Sequence, residues 1–539
     1  MALETLPPSP TTNGHAQMKK NDASGGWVIQ KFGGTSVGKF AEKIAEDIVR
    51  AHLGENKIAV VCSARSTDTK AEGTTNRLLR AAEEALKPGS RLYLDIVEAI
   101  RESHVDAGAE LIKSKEILDQ LKSDIETECG KLINFLSAAQ VRNKAFYCVE
   151  LVTRKVLNNY RLQIIDEISP KTKDIIIGAG EKLACLLMTA LLRDRGVDAE
   201  YINLDSIIPS SYTVKKGLDQ EFYDYLPKKL AERIQLCEDR VPVVTGYFGT
   251  VPGSLLTSVG RGYTDLCSAL LAVGLDAEEL QVWKEVDGIF TADPRKVPTA
   301  RLIPVITPEE AAELTYYGSE VIHPFTMEQV IRARIPIRIK NVENPAGEGT
   351  IIFPDTIHRK GEDTPTEPPR HMRLKAHDPL LVQRHKRPTA VTTKNNIVVL
   401  NVHSNRKSLA HGFLAEIFST LDKWRLAVDL ISTSEVHVSM ALHSEVREND
   451  LKEAIEELKH YGTVDVIRDL TILSLVGKHM KQMVGIAGRM FSTLAESNVN
   501  IEMISQGASE INISCVIKQA DAIRAMNVLH TKLFTYQDL

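Results

Sequence analysis

The stretch VIQKFGGTSVGKF, Val28 to Phe40, sets two lysines around paired glycines in a spacing suited to phosphate binding. Gly33, Gly38 and Lys39 stand where the P-loop of nucleoside triphosphatases, G-x-x-x-x-G-K-[ST], needs them. Phe40 excludes that loop, since a phenyl ring cannot replace the hydroxyl that ligates magnesium there. Lys31 offers another solution, because it precedes the glycines at the end of an apolar run, Val28 to Phe32, that predicts a short strand. Backbone N–H groups at Gly33 and Gly34, with a helix starting near Lys39, would then face a triphosphate while Lys31 meets the charge on the transferred phosphoryl group. A plain strand-to-helix connection accounts for these residues equally well, so other segments must decide.

Three segments carry further candidates. In GAGEKL, Glu181 opens a predicted helix, where it either caps N–H groups or holds the ammonium of a small substrate. VGRGYTD, Val259 to Asp265, sets Arg261 and Asp265 around a turn before a helix; Asp265 reads as an N-cap or as the group that orients a lysine, and Arg261 suits a carboxylate. EVDGIFTADPRK, Glu285 to Lys296, has turn signals at Asp287-Gly288 and Asp293-Pro294 and a basic end, as in a loop that wraps a nucleotide.

The elements that must position these residues alternate. Lys57–Ala64, Asp174–Glu181, Val241–Gly249 and Glu279–Gly288 read as buried strands, and helical periodicity separates them. Residues 91–160 read as an inserted helical layer. The fold class expected is α/β, a largely parallel sheet flanked by helices with ligands at the carboxyl ends of its strands.

At 539 residues the chain should hold three or four units of ~150 residues. Its 43% apolar and 25% charged composition and net charge of −5 suit a globular protein and give no reason to expect nucleic acid or membrane as a partner. Seven scattered cysteines without a C-x-x-C pair read as reduced core thiols in a cytoplasmic protein. The apolar run Ala184–Leu192 is shorter than the ~18 residues of a membrane span. Residues 1–26 lack a signal core and are expected to be a disordered tail. Residues 27–353 form the α/β unit, and the proline- and charge-rich 354–393 reads as a linker, with a solvated connector favoured over contact with an acidic partner. Beyond it Gly412–Ser439 resembles Gly485–Ser514, both with FSTL, which predicts two β-α-β-β-α-β units of ferredoxin-like kind at 394–467 and 468–539.

The ordered motifs KFGGTSVG, GEKLA, GRGYTD, EVDGIFTADPR and GSEVIHP, followed by a duplicated C-terminal unit, resemble the aspartate kinases of the amino-acid kinase family, and the connector resembles the fungal form. The resemblance implies transfer of phosphate from ATP, with Mg2+, to the side-chain carboxylate of L-aspartate. That carboxylate, with a pKa of ~3.9, is already a nucleophile at neutral pH, so no general base is needed. It implies Lys31, Gly33, Gly34 and Thr35 at the phosphates, Asp265 positioning the lysine, and Ser63, Thr75, Glu181 and Arg261 around aspartate. Lys284, Glu285, Phe290, Arg295, Glu320 and Val321 take the family's nucleotide positions. No side-chain cage for a metal is expected.

The sequence departs from the family pattern at Tyr263-Thr264, where GRGGSD is usual, at Lys284-Glu285, at Phe290, and at Glu320, where many relatives have lysine; Arg295 or Lys39 would then supply a second cation. The duplicated unit resembles ACT domains. This implies feedback by an amino acid, L-threonine in the fungal form, around Gly412, Phe413, Leu414, Asp429, Ser432, Thr433 and Gln506, and a homo-oligomer assembled through these domains. The alternatives are a related acetylglutamate or glutamate kinase and a sensor without turnover; the duplicated unit argues against the first, and Lys31, Glu181, Arg261 and Asp265 together against the second.

Overall fold

The computed structural model describes residues 18–535 apart from 67–71, 88, 155–168, 210–211, 213–219, 250, 252–253, 256–258, 317–321, 323, 354–386, 405–411, 435, 444–446 and 508–510. It divides into two compact units, Met1–Asp287 with Phe325–Glu348 and Gly288–Pro324 with Gly349–Leu539.

In the first unit the apolar runs form strands β1 (Trp27–Phe32), β2 (Lys57–Cys62), β3 (Ala199–Ile202), β4 (Val241–Thr245), β5 (Glu279–Lys284) and β7 (Ile337–Asn341). Their order is β3-β4-β2-β1-β5-β7, and every pairing is parallel. β1 is central, with Lys31 opposite Val61 of β2 and Val282 of β5. Near-complete burial of β1, β2, β4 and β5 explains their unbroken apolar sequence, since helices cover both faces of a parallel sheet. One face packs Phe32, Ile44, Ile48, Met188, Leu191 and Trp283 into a core.

Short helix α1 (Gly34–Lys39) follows β1 directly. The helical layer expected at 91–160 is present as α3 (Leu92–Leu111) and α4 (Lys115–Arg154), which pack with α2 (Thr74–Leu86) and α5 (Pro170–Asp194) around Leu78, Val97, Ile125 and Leu187.

Helix α5 corrects the reading of Asp174–Glu181 as a strand. Ser169 caps it by accepting from Thr172 N, Pro170 occupies its first turn, and the β-branched run Ile175–Ile177 continues as helix. Its glycines allow close packing: a Cβ on Gly178 would lie 2.5 Å from the Tyr247 ring, and one on Gly180 3.0 Å from Ala64. Among the described residues α5 is the one helix long and apolar enough to cross a membrane, and 89% of its apolar window is buried in the protein.

The end of the expected tail is also ordered. Asn21 is fully buried, its side chain donating to Ile58 O at 3.0 Å and accepting from Ile58 N at 2.7 Å. Residues 1–17 lie outside the described ones.

The second unit carries β6 (Val305–Ile306) paired with β8 (Thr350–Ile352), helix α7 (Pro308–Tyr316) and the duplicated region. The latter contains β9 (Ala390–Ser404), α8 (Phe413–Lys423), β10 (Val428–Thr433), β11 (His437–His443), α9 (Glu448–Leu458), β12 (Gly462–Val476), α10 (Ile486–Glu496), β13 (Met503–Ser505), β14 (Asn512–Lys518) and α11 (Ala522–His530). The strand order β10-β11-β9-β12-β14-β13 contains two ferredoxin-like sheets that share their two long strands. The first uses Ile397–His403 of β9 beside β11. The second borrows the start of β9, where Ala390–Thr393 pair with Leu473–Val476 of β12.

The expected linker therefore ends too late, since residues 390–393 are strand and Val391 lies in the core of the second repeat with Leu473, Met490 and Met526. The boundary expected at 467/468 falls within β12, where the register shifts between Ile467 and Leu470.

Candidate active site

Lys31 sits one residue from the carboxyl end of the central strand, where a side chain aimed at the sheet edge meets the segments that follow neighbouring strands. Its ammonium lies 2.6 Å from Asp265 Oδ1, with the two side chains only 10% and 20% exposed. Asp265 occupies the first turn of α6 (Tyr263–Gly274). It is not the N-cap, which is Gly262, so of the two sequence readings its carboxylate serves the lysine.

The glycines of the first loop divide into two kinds. A Cβ on Gly34 would lie 2.2 Å from Ala64 O, and one on Gly38 2.0 Å from Ser66 O, so these glycines let the segment after β2 pack against the loop. Ser63 N donates to Phe32 O at 3.1 Å and Ser66 N to Gly34 O at 2.9 Å, which fixes that approach and sets Ser63 beside the end of β1. Gly33 differs. Its φ of −70° suits any residue, and a Cβ there would meet nothing nearer than Ser36 Oγ at 3.9 Å. Packing does not require glycine at 33, whereas a ligand approaching the backbone would. Thr35 is half-buried in α1.

Two hydroxyl residues that the sequence reading passed over organise the loop's neighbours. Ser36 Oγ donates to Glu285 Oε1 at 2.7 Å and ties α1 to the residue after Lys284, the last of β5. Thr74 donates through its N (3.1 Å) and Oγ1 (2.7 Å) to Arg65 O, closing the segment that leads to the half-buried Thr75. No spacing rule marks either residue; a small hydroxyl near a helix start was the available signal.

Glu181 lies within α5 rather than at its start, so the capping alternative falls. It is 1% exposed; Oε1 accepts from Thr264 Oγ1 at 2.6 Å, and Oε2 has no well-aligned partner. Burial pushes its carboxyl up to about 7, opposed by the Thr264 and Tyr263 hydroxyls, the Tyr247 backbone and the charge of Lys31. A buried carboxyl with only one well-aligned hydrogen bond can accept an ammonium ion. The departure at Tyr263-Thr264 thus has a physical use, because both hydroxyls favour the ionised Glu181. Gly246 makes room for the threonine, since a Cβ there would lie 2.3 Å from Thr264 Cγ2.

Arg261 is in the 3-10 turn Gly260–Gly262 immediately before α6, and its side chain lies outside the described ones. Glu320 and Val321 also lie outside the described residues. Phe290 and Arg295 belong to the second unit. Phe290 bridges Leu302, and Arg295, 88% exposed, makes a forked pair with Asp293 at 3.0 and 3.1 Å. Lys39 is exposed at the end of α1.

In the duplicated region Asp429, Ser432 and Thr433 lie on β10, Gly412 with φ +92° precedes α8, Phe413 and Leu414 begin that helix, and exposed Gln506 follows β13. The Asp429 side chain is 4% exposed; Oδ1 accepts from Lys394 Nζ at 2.8 Å and Tyr316 OH at 3.0 Å, and Oδ2 has no partner.

The amino acid kinase family matches residues 26–341, and the ACT domain matches residues 473–533. The aspartokinase of Schizosaccharomyces pombe is 55% identical over 514 residues, covering 95% of this chain and 94% of its own. Two crystal structures of Escherichia coli aspartokinase III are similar at 27% identity. The R-state complex with aspartate and ADP has a TM-score of 0.66 and the T-state complex with lysine and aspartate 0.69; each comparison covers 94% of this chain and 99% of that one.

Proposed function

We propose that this chain, which belongs to the amino acid kinase family and is an aspartate kinase, uses the Lys31–Asp265–Glu181 cluster to bring the terminal phosphate of ATP onto the side-chain carboxylate of L-aspartate. The product is 4-phospho-L-aspartate, the first intermediate towards lysine, threonine and methionine. The observation that carries this reading is the Lys31 ammonium, nearly buried and held at 2.6 Å from Asp265 at the end of the central strand.

Each residue's part follows from charge and position. Lys31 meets the negative charge spreading over the transferred phosphoryl group, where a preorganised donor in a water-poor site typically contributes ~3 kcal/mol. Asp265 holds that ammonium in place. Gly33, Gly34 and Thr35 offer backbone to the phosphates, and the bare surface at Gly33 is suited to close approach. Glu181 accepts the ammonium of aspartate, Arg261 pairs with a carboxylate, and Ser63 and Thr75 complete the hydrogen bonding. The bacterial complex with aspartate and ADP supports this substrate pair. Lys284 and Glu285, which follow in the same unit, are proposed nucleotide contacts.

Among the described residues no three His, Cys, Asp or Glu side chains converge. Magnesium would be carried chiefly on the phosphates, with Asp265 the nearby carboxylate, and would neutralise their charge.

The ACT domains bind an amino-acid effector, which we take to be L-threonine, around β10 and the start of α8, and they join copies of the chain into a homo-oligomer. The unpartnered Asp429 Oδ2 is suited to an effector ammonium. The described cysteines, all free and buried, support a reducing compartment, the cytoplasm. A hydroxamate assay with ATP, magnesium and aspartate tests the reaction. Product from aspartate and none from glutamate or acetylglutamate is expected; absence of turnover alongside tight threonine binding would make the chain a sensor.

A further inference from the structure

One face of α5 carries Asp174, Gly178 and Glu181, four and then three residues apart, so that they stack along one side of the helix. All three hold the same stretch of chain. Glu181 accepts from Thr264 at the start of α6, and Gly178 lies against the Tyr247 ring just after β4. Asp174 is fully buried, and both of its oxygens are used: Oδ1 accepts from Ser254 Oγ at 2.9 Å and Oδ2 from Leu255 N at 2.7 Å.

The segment between the two carboxylates leads from Leu255, through a Val259 N to Leu255 O bond of 2.8 Å, into the Gly260–Gly262 turn and Thr264. Gly260 takes φ +77°, with nothing within 4 Å of the position a Cβ would occupy, and the printed bonds of this stretch lie on either side of the turn, at Leu255 and at Thr264. Arg261 lies inside it. Asp174 accepts from Ser254 and Leu255 before the turn, and Glu181 accepts from Thr264 after it.

We propose that Asp174 is a positioning residue for Arg261, setting the turn from which the guanidinium reaches the carboxylate of aspartate. This rests on the role given to Arg261 above. A buried carboxylate serving two donors on one short segment is stiffer than a water-bridged loop, and displacement of a binding group by about 1 Å can cost a hundredfold.

The test uses the full chain and compares Asp174→Asn, Ser254→Ala, Arg261→Ala and the double variant Asp174→Asn with Arg261→Ala. Asp174→Asn keeps the shape but turns an amide N–H2 towards one of its two donors; Ser254→Ala removes one bond and leaves the other. The expected result is a KM for aspartate raised about tenfold or more in Asp174→Asn and a few-fold in Ser254→Ala, with the KM for ATP within about twofold of wild type. In the Arg261→Ala background Asp174→Asn should add no further rise. A purely structural role would lower the active fraction and leave both KM values unchanged. That result, equal rises for both substrates, or full additivity in the double variant overturns the inference. If Asp174→Asn fails to fold, the aspartate KM of Ser254→Ala decides. A normal aspartate KM in Arg261→Ala overturns the reading of Arg261 and takes the inference with it; a raised one beside normal values in Asp174→Asn and Ser254→Ala overturns the inference alone.

Discussion

Lys31 and Asp265 come from distant parts of the sequence, one on the central strand and the other in the first turn of a helix, yet the ammonium and the carboxylate oxygen are 2.6 Å apart. The pair is nearly closed to water, so its geometry is fixed before substrates arrive. Substituting either partner therefore has a defined consequence. Lys31→Ala should fold normally and lose roughly two to three orders of magnitude in kcat. Asp265→Ala should lose less, about ten- to a hundredfold, because the lysine remains but is no longer oriented. Steady-state kinetics beside thermal unfolding check both; ordinary turnover in Lys31→Ala would remove that residue from the mechanism.

Glu181 makes aspartate binding depend on pH. Its carboxyl is pushed up to about 7 by burial, so below that pH the free enzyme holds it protonated, and an incoming ammonium must displace the proton. The KM for aspartate should fall as pH rises from 6 to about 7.5 and then level, while Glu181→Gln should raise KM and flatten this part of the profile. Stability moves in the opposite sense. Because the folded pKa lies above the ordinary glutamate value of 4.5, the unfolded chain releases this proton first, and stability declines between pH 4.5 and about 7. At pH 8, Glu181→Gln without ligands should melt no lower than wild type.

The two kinds of glycine in the first loop should separate folding from binding. Gly34→Ala forces a Cβ towards Ala64 O, 2.2 Å away, and should destabilise by about 1–3 kcal/mol as well as inactivate. Gly33→Ala has room and an ordinary φ, so it should melt like wild type and still raise the KM for ATP several-fold. Equal losses of stability in the two variants would contradict the assignment of Gly33 to the ligand.

Asp429 should tune inhibition without touching catalysis. Asp429→Asn keeps acceptors for Lys394 and Tyr316 but removes the charge offered to an effector ammonium. Inhibition by threonine should require at least tenfold more effector, and uninhibited kcat should stay within about twofold. A thermal-shift screen of threonine, lysine and methionine on wild-type protein checks the identity of the effector, and a shift with lysine alone would replace threonine in this account.

The parallel sheet was legible because β1, β2, β4 and β5 are continuous apolar runs that punctuate helical periodicity. Asp174–Glu181 was not, since a run of isoleucines beside glycines fits a strand as well as a helix, and only the packing of Tyr247 and Ala64 on those glycines decides for the helix. The start of β9 was hidden for a different reason: Ala390–Thr393 pair with β12, a partner far along the chain, and follow a charged, proline-rich stretch. At the site, charged residues on motif loops were legible one by one. Thr264 stood in one of those motifs, but two other hydroxyls were not legible: Ser36, which bonds Glu285, and Thr74, which bonds the Arg65 backbone, act through the folded arrangement of their neighbours and leave no mark in spacing.

The most direct measurement is a crystal structure of the chain with L-aspartate and a non-hydrolysable ATP analogue. The account predicts the Lys31 ammonium in contact with the terminal phosphate, still beside Asp265, and the ammonium of aspartate on Glu181. An analogue bound with its terminal phosphate far from Lys31, or aspartate bound away from Glu181, would contradict it.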